Sequence, residues 1–405
     1  MDNQQSYSIL SSDEERLLAK VRSLQEELRE FLQTLVQTES VNPPGDTRRV
    51  AEVTYEKLQS FATDIKLVGP DPNCPNIMAS LNPGNSPQLV FNSHMDTVPF
   101  GDLSHWTHSP LSGEVIEGSI YGRGSADAKG SLAAMIMAGK ALVLSDLSLS
   151  GTLVITPVSD EEIGGINGAK WIVDNNLVSP DAVVIGEITS NRVAIAHKGI
   201  VWFRLVTHGR TAHASTPWEG VNAISHMITI LSRIETEFTR RFSQISHPLT
   251  PPPSFNFGLI NGGEKANVVA DRCEVELDRR ILPTENADDA IAEVEDILEA
   301  VRGEIPNLNA EVEVILVGDP VDTSDSEVLV QEALGAAQAL GLSGTPVGYQ
   351  QGTDGRFFSA KGIPTIMIGP GVPEVAHTPD EHVAIEDVYQ ATELYALVAY
   401  RMLRS

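Results

Sequence analysis

Residues 89–96 read LVFNSHMD, and this stretch decides how the rest of the chain is interpreted. A short apolar run passes directly into polar residues that include His94 and Asp96, which is the pattern of a buried strand with a polar end. In open α/β sheets, ligands bind just outside the carboxyl ends of the strands. The stretch therefore predicts a central strand that delivers His94 and Asp96 to a binding site.

The segments around this strand alternate between helix and strand. Two amphipathic helices are predicted before it, at 12–38 and 47–61. The segments predicted after it are helix 130–146, strand 151–158, helix 165–175 and strand 181–186. Such alternation is typical of a mostly parallel sheet with helices on both faces, so we predict an α/β fold for this part of the chain.

The pattern changes after residue 198. The predicted elements are then strand 199–208, helix 219–242, strands 254–260 and 266–282, helix 286–301 and strand 309–316. This βαββαβ order is the ferredoxin-like pattern. The α/β pattern resumes with helices near 326–340 and 386–403 and a strand at 363–368. We therefore predict one discontinuous domain, formed by 1–197 and 318–405, and an inserted α+β domain at 198–317.

Length, charge and cysteine content limit the possible classes of protein. A chain of 405 residues exceeds what one hydrophobic core usually supports, so two domains are expected. The formal net charge of −27 argues against nucleic acid or an anionic membrane as a partner, because both require a basic surface. No apolar run approaches the roughly 20 residues of a membrane span, and the first residues lack a secretory signal. With only two cysteines, a cytoplasmic location is expected.

Five segments concentrate His, Asp and Glu beside turn residues. They are HMDTVP (94–99), GRGSADAKG (122–130), SDEEIGG (159–165), IGE (185–187) and AHTPDE (376–381). The second segment lacks the Gly-Lys-Ser/Thr order of a phosphate-binding loop. In the third, helix capping by Asp160 leaves two glutamates unexplained, and clustered carboxylates repel unless a cation neutralises them. Imidazoles and carboxylates that converge from separate strand ends are what a two-metal hydrolase needs.

These motifs, together with AHKG at 196–199, resemble those of the family that contains acetylornithine deacetylase, succinyl-diaminopimelate desuccinylase, aminoacylase and glutamate carboxypeptidase. The resemblance covers essentially the whole chain, in order. It implies a di-zinc exopeptidase-like fold, in which a mixed, mostly parallel sheet is sandwiched by helices and the inserted domain serves as a lid or dimerisation domain. It also implies a cis peptide bond after Asp127 and a homodimer formed through helix 219–242 and strand 199–208.

Carried over residue by residue, the resemblance implies two metal sites with a shared ligand. Asp127 would bridge the two metal ions. His94 and Glu187 would complete one site. Glu162 and His377 would complete the other. Three carboxylates and one hydroxide balance the charge of two divalent ions, and these nitrogen and oxygen ligands suit zinc, with cobalt and manganese as alternatives.

The resemblance also implies catalytic and substrate-binding roles. Glu161 would be the general base that takes a proton from the metal-bridging water and passes it to the leaving amine, and Asp96 would hold His94. His213 would stabilise the developing oxyanion, often in the active site of the partner subunit. The residues implied to lie at the substrate carboxylate are Asn267, Arg280, Gly352, Thr353 and Asp354.

Three functions are compatible with this set of residues. The leading hypothesis is hydrolysis of the amide bond of an N-acyl amino acid, as in the acetylornithine and succinyl-diaminopimelate enzymes. The alternative is a carboxypeptidase or dipeptidase on the same two-metal scaffold, which differs only in the nature of the acyl group. The third is a catalytically inactive binding protein, which would be expected to have lost metal ligands that this chain retains.

Overall fold

The computed structural model describes residues 10–82 and 86–404. The chain forms two compact units. The first unit contains the chain up to Ile195, then Asp322–Val347 and the residues from Thr353 onward. The second unit contains Ala196–Val321 together with Gly348–Gly352. The inserted segment that the sequence predicts, 198–317, falls within the main part of the second unit.

The described residues form the following elements. The strands are β1 (Asp64–Val68), β2 (Asn76–Leu81), β3 (Gln88–His94), β4 (Val115–Ile116), β5 (Ser119–Tyr121), β6 (Thr152–Val158), β7 (Ala182–Gly186), β8 (Ala194–His197), β9 (Gly199–His208), β10 (Ser254–Gly262), β11 (Arg272–Ile281), β12 (Asn309–Gly318), β13 (Val321–Asp322), β14 (Val347–Tyr349), β15 (Thr365–Ile368) and β16 (His382–Ala384). The helices are α1 (Ser12–Ser23), α2 (Gln25–Gln37), α3 (Arg48–Gln59), α4 (Lys129–Leu144), α5 (Ala169–Asp174), α6 (Ala223–Phe242), α7 (Ala287–Glu304), α8 (Val328–Ala339), α9 (Gly355–Ser359) and α10 (Ile385–Leu403).

The first unit is built on a mixed sheet with the strand order β1-β2-β6-β3-β7-β15-β8-β13, and β14 pairs with β8. Its four central strands, β6, β3, β7 and β15, are parallel. They are mostly apolar and almost entirely buried, which is the pattern of parallel strands covered on both faces. Antiparallel pairing joins β1 to β2, β2 to β6 and β15 to β8. The predicted α/β fold with a mostly parallel sheet is confirmed.

Helices flank this sheet. The helix α4 contacts β3, β6 and β7, and α10 packs against α4. Helix α9 contacts β7 and β15, and α3 contacts β1 and β2. Close packing of α4 depends on Gly139, because a Cβ atom there would lie only 2.7 Å from a methyl group of Leu81. Within residues 10–82 and 86–404, none of the helices has the length and apolar character needed to cross a membrane.

The register of the central strands aligns their carboxyl ends. His94 at the end of β3 pairs with Val158 at the end of β6, and Gly186 of β7 pairs with Ile368 of β15. Because parallel strands run in the same direction, all four end at one edge of the sheet. The polar motifs that follow these strands therefore leave the sheet at the same edge.

The second unit contains an antiparallel sheet with the order β10-β11-β9-β12, against which α6 and α7 pack. Together with the βαββαβ sequence of elements, this arrangement is ferredoxin-like. Both edges of β9 are hydrogen-bonded, to β11 and to β12. The outer strands of this sheet are β10 and β12, and the dimer contact predicted through helix 219–242 and strand 199–208 stays a prediction.

Several predicted elements differ in their bounds from those observed, and three of them show why. The helix predicted at 12–38 is two helices that meet at Leu24, whose φ and ψ angles of −104° and 3° are not helical. The helix predicted from residue 165 begins only at Ala169, because Gly164 and Gly165 adopt positive φ angles of 111° and 67°. The strand predicted from residue 266 begins at Arg272, after a turn.

Alternation along β9 predicts that two neighbouring substitutions destabilise the protein by different amounts. Phe203 is fully buried in the core that β9 forms with α6 and α7, whereas Trp202 is 40% exposed on the other face. Phe203→Ala should lower the free energy of unfolding by about 3–5 kcal/mol, because it leaves a cavity. Trp202→Ala should cost about 1 kcal/mol or less. Denaturant unfolding of both variants measures this difference, and equal losses would show that the face of β9 is misassigned.

Candidate metal centre

The carboxyl edge of the central strands carries the predicted metal ligands. His94 is the last residue of β3, and Glu187 directly follows β7. Glu162 lies in a 3₁₀ turn after β6. Asp127 lies in the loop that leads into α4, and His377 lies in the loop between β15 and β16, where its φ angle of 61° is left-handed. The fold thus draws these five side chains from separate segments to one place.

The five side chains form two groups that share Asp127. In the first group, one ligand atom each of His94, Asp127 and Glu187 lie within 4.8 Å of one another. In the second group, the same holds for Asp127, Glu162 and His377. The distance from His94 Nε2 to Asp127 Oδ1 is 3.2 Å, and that from His377 Nε2 to Asp127 Oδ2 is also 3.2 Å. The two oxygens of Asp127 therefore face different groups.

The spacing of these donor atoms fits divalent metal ions. Zinc binds nitrogen and oxygen at about 2.0–2.2 Å in tetrahedral geometry, so two donors on one ion lie about 3.3 Å apart. The observed separations of 3.2 Å, including that between His377 Nε2 and Glu162 Oε2, match this value. Each group also combines imidazole with carboxylate, the donor types that suit zinc. The residues therefore fit one ion in each group, with Asp127 as the shared ligand.

Two of the acids at this edge, Glu161 and Glu187, have raised pKa values. Burial raises the pKa of Glu161 well above its ordinary value, and the charge of Glu187 raises it further. Burial likewise raises the pKa of Glu187, and Asp127 adds to the effect. Negative charge at this edge is therefore concentrated enough to hold protons, and a cation would displace them.

The same concentration of carboxylates raises the pKa values of the two imidazoles, those of His94 and His377. Hydrogen bonds to Asp127 and Glu162 raise the pKa of His377 to about 10. Burial disfavours the charged form of His94, but its hydrogen bond to Asp127 and the nearby acids outweigh burial and raise its pKa well above 6.5. Burial also acts against ionisation of Asp127, yet the hydrogen bonds from both imidazoles lower its pKa. The imidazoles thus hold protons at the positions where a metal ion would bind.

Asp96 orients His94 through its main chain rather than through its carboxylate. His94 Nδ1 is 2.9 Å from the Asp96 carbonyl oxygen and 3.6 Å from Asp96 Oδ1. Asp96 Oδ2 instead accepts hydrogen bonds from the Glu162 N–H (3.3 Å) and from Asn42 Nδ2 (3.1 Å). Burial raises the pKa of Asp96 to about 6. Asp96 therefore connects the segments that carry one ligand of each group.

The predicted substrate loop at 352–354 is divided between the two units. Gly352 belongs to the second unit, whereas Thr353 and Asp354 belong to the first and are buried. Burial raises the pKa of Asp354 to about 7, and both its carboxylate oxygens lack a hydrogen-bond partner among the described residues. The charge of Asp354 in turn raises the pKa of Glu161. Asp354 thus belongs to the buried acidic cluster, and its role at the substrate stays a prediction.

The remaining predicted residues lie in the second unit. His213 is exposed, and a β-bridge pairs it with Val268, the neighbour of Asn267. Arg280 lies near the end of β11, where its guanidinium binds both oxygens of Asp278 at 2.9–3.2 Å. His213 therefore lies beside Asn267, which precedes the first residue of β11. Arg280 lies near the other end of that strand.

Four buried polar residues around the centre were not predicted to have a role. Arg123 and Lys129 lie within GRGSADAKG, and Glu381 closes AHTPDE, so the motifs themselves were the available signal. Lys129 Nζ donates to the carbonyl oxygens of residues 35 and 38, both at 2.9 Å. Asn42 lies in NPPGD, a segment that predicted only the end of a helix, and no local pattern indicates its contact with Asp96.

The carboxyl edge of this α/β sheet presents two groups of nitrogen and oxygen ligands that share an aspartate. This arrangement is that of a metal-dependent hydrolase. The model of peptidase family M20/M25/M40 matches residues 90–401. The chain belongs to this family, and the family resemblance of its motifs is confirmed.

Relatives and solved structures agree with this assignment. The chain is 34% identical to an acetylornithine deacetylase of Proteus mirabilis over 324 residues, which cover 79% of this chain and 80% of that protein. A tripeptidase of Staphylococcus aureus has a TM-score of 0.75 and 25% identity, covering 93% of this chain and 98% of the other. A dinuclear metal-binding peptidase of the M20 family from Bacillus subtilis has a TM-score of 0.71 and 16% identity, covering 94% and 99%.

The raised pKa values predict that zinc stabilises the protein more at higher pH. His377, with a pKa of about 10, stabilises the metal-free fold below an unfolded value of 6.5, and this contribution is lost as the pH rises towards 10. Zinc must displace the proton, so its binding strengthens over the same range. The increase in Tm caused by zinc should be larger near pH 8 than near pH 6, as differential scanning fluorimetry would measure. His377→Ala, which lacks this imidazole, is the control. Equal zinc-induced increases in Tm at both pH values in the wild-type protein would contradict the assigned ligands.

Proposed function

We propose that the protein hydrolyses the amide bond of an N-acyl amino acid, using zinc in both ligand groups. The observation that carries the proposal is the sharing of Asp127 between the two groups, next to the additional carboxylate of Glu161. The similarity to an acetylornithine deacetylase supports a deacylase. The two buried cysteines, both free thiols, agree with a reducing, cytoplasmic location, which we propose on sequence grounds.

The residues of the centre divide the reaction between them. Two divalent ions held by these residues would supply Lewis acidity toward the scissile carbonyl and toward a water molecule. Glu161 accepts a proton as the oxygen of that water attacks the carbonyl carbon. Glu161 then delivers the proton to the amide nitrogen, and the C–N bond breaks. The products are a carboxylic acid and a free amino acid. Asp96, through its main chain, keeps His94 in place during these steps.

The position of His213 supports a role in a second copy of the chain. His213 and Asn267 lie before the first residue of β11, and Arg280 lies near its last residue. This separation spans roughly eight strand residues, or about 26 Å, which is longer than an N-acyl amino acid. In a homodimer, His213 and Asn267 of one subunit would complete the site of the other, while Arg280 would bind the substrate carboxylate in its own.

Exposed apolar residues of the second unit indicate where such a dimer would form. Leu259 and Ile260 of the outer strand β10 are 57% and 60% exposed, and Ile228 of α6 is 60% exposed. An outer strand with unpaired main-chain groups and apolar side chains is suited to pairing with another chain. We therefore propose that the dimer contact keeps the predicted helix, as α6, and uses β10 in place of strand 199–208.

A peptidase is the alternative function. The similarity to a tripeptidase supports it, because that structure shares both the fold and a quarter of its residues with this chain. The two functions use the same chemistry and differ in the acyl group. Amine release from N-acetyl, N-succinyl and N-glutaryl amino acids and from dipeptides, with zinc, cobalt or manganese, separates them. Preference for an acyl group establishes a deacylase, and cleavage of dipeptides alone establishes a peptidase.

Removal of the proposed base should abolish turnover and leave the metal site occupied. Glu161→Gln should lower kcat by about 10²–10⁴-fold, because the amide cannot accept a proton from water. KM and zinc content should stay close to wild type. Glu52→Gln, a change at a carboxylate with a 56% exposed side chain, is the matched control. Retention of more than a tenth of the wild-type kcat by Glu161→Gln would exclude Glu161 as the base.

Complementation between subunits tests the role of His213. His213→Ala and Glu161→Ala homodimers should each be inactive. Each mixed dimer should regain up to about half of the activity of a wild-type dimer. One site of each mixed dimer would then hold both intact residues. Differently tagged subunits allow the mixed dimers to be isolated. Purified mixed dimers without activity would rule out the role between subunits.

A further inference from the structure

Glu381 is a fully buried carboxylate that holds the loop containing the shared ligand. Its Oε1 atom accepts the N–H groups of Ala126 and Asp127, both at 3.0 Å. Its main-chain oxygen accepts the N–H of Gly122 at 2.8 Å. One residue therefore fixes both ends of the segment 122–127. The N–H of Asp127 is among these donors, so loss of the Glu381 carboxylate would remove a restraint on the main chain that carries the shared ligand.

Arg123 holds the same carboxylate from the other side. Its Nη1 atom lies 2.7 Å from Glu381 Oε2 and also donates to the carbonyl oxygen of Thr378 at 3.2 Å. The guanidinium stacks 5.1 Å from the ring centre of Trp106, and the Arg123 side chain is only 3% exposed. Thr378 directly follows His377. The pair thus connects the loop of Asp127 with the loop of His377.

We propose that Glu381, held by Arg123, is a positioning residue that sets the separation of Asp127 and His377 and thereby the affinity for metal. This inference rests on the proposed two-metal function. Donor atoms that share an ion lie about 3.3 Å apart, so a shift of even 1 Å between the two loops would distort the coordination. A buried ion pair adds little net stability over apolar residues of the same shape. The more specific reason for the pair of Glu381 and Arg123 is therefore that it fixes the relative position of the two loops.

The test measures zinc affinity in variants of the whole protein. Glu381→Gln keeps an oxygen that can accept the two N–H groups, but its amide cannot pair with Arg123. We expect zinc to bind this variant about 10–100-fold more weakly than wild type, the range typical of residues that orient metal ligands. Arg123→Lys keeps the charge and loses the planar fork, so its loss of affinity should be smaller. Competition with a chromophoric chelator measures the affinity of each variant for both zinc ions.

The matched control is a buried ion pair of the same kind elsewhere in the first unit. Glu14 and Arg401 are 2.6 Å apart, with side chains 3% and 6% exposed, and neither belongs to a ligand group. Glu14→Gln should lower the Tm of the metal-free protein and leave zinc affinity unchanged. Wild-type zinc affinity in Glu381→Gln would overturn the inference. If Glu381→Gln does not fold, wild-type zinc affinity in Arg123→Lys would overturn the inference instead. Absence of zinc binding by the wild-type protein would instead refute the proposed function itself.

Discussion

Repulsion between carboxylates at one edge of a buried sheet is the constraint on which the rest of the site depends. Glu161, Glu187 and Asp354 all have raised pKa values there, because burial disfavours their charged forms and each is close to other acids. Isolated buried charges are too costly to persist, so such a cluster needs either protons or cations. Two divalent ions would neutralise it, and the shared Asp127 would allow both to be held by few residues.

The parallel sheet makes this concentration of charge possible. Four strands end at the same edge, and four of the ligands lie at the end of β3 or in the segments that follow β6, β7 and β15. Glycine allows these segments to approach one another closely. At Gly369, which follows β15, a Cβ atom would lie 2.0 Å from the carbonyl oxygen of Glu187, so a larger residue would displace a ligand. The ligands are therefore positioned by main-chain packing as much as by their own contacts.

The sequence predicted the parts of this structure that depend on local pattern. Apolar runs that end in polar residues indicated the central strands, and the motifs placed His94, Asp127 and the other ligands in the segments that the fold brings together. Contacts between distant segments were not predictable in this way. Nothing near Asn42 indicates its bond to Asp96, 54 positions away, and nothing near Glu381 indicates its bonds to the main chain of Asp127. Strand order is likewise a long-range property, so the interior position of β9 could not be inferred from its own residues.

The most direct test of the account is the metal content of the purified protein and of variants in each ligand group. Wild type should bind two zinc ions per chain. Glu187→Gln and His377→Ala should each retain one, because each belongs to a single group, and Asp127→Ala should lose both because it belongs to the two groups. Two tightly bound ions in Asp127→Ala, or none in the wild-type protein, would contradict a shared-aspartate metal centre.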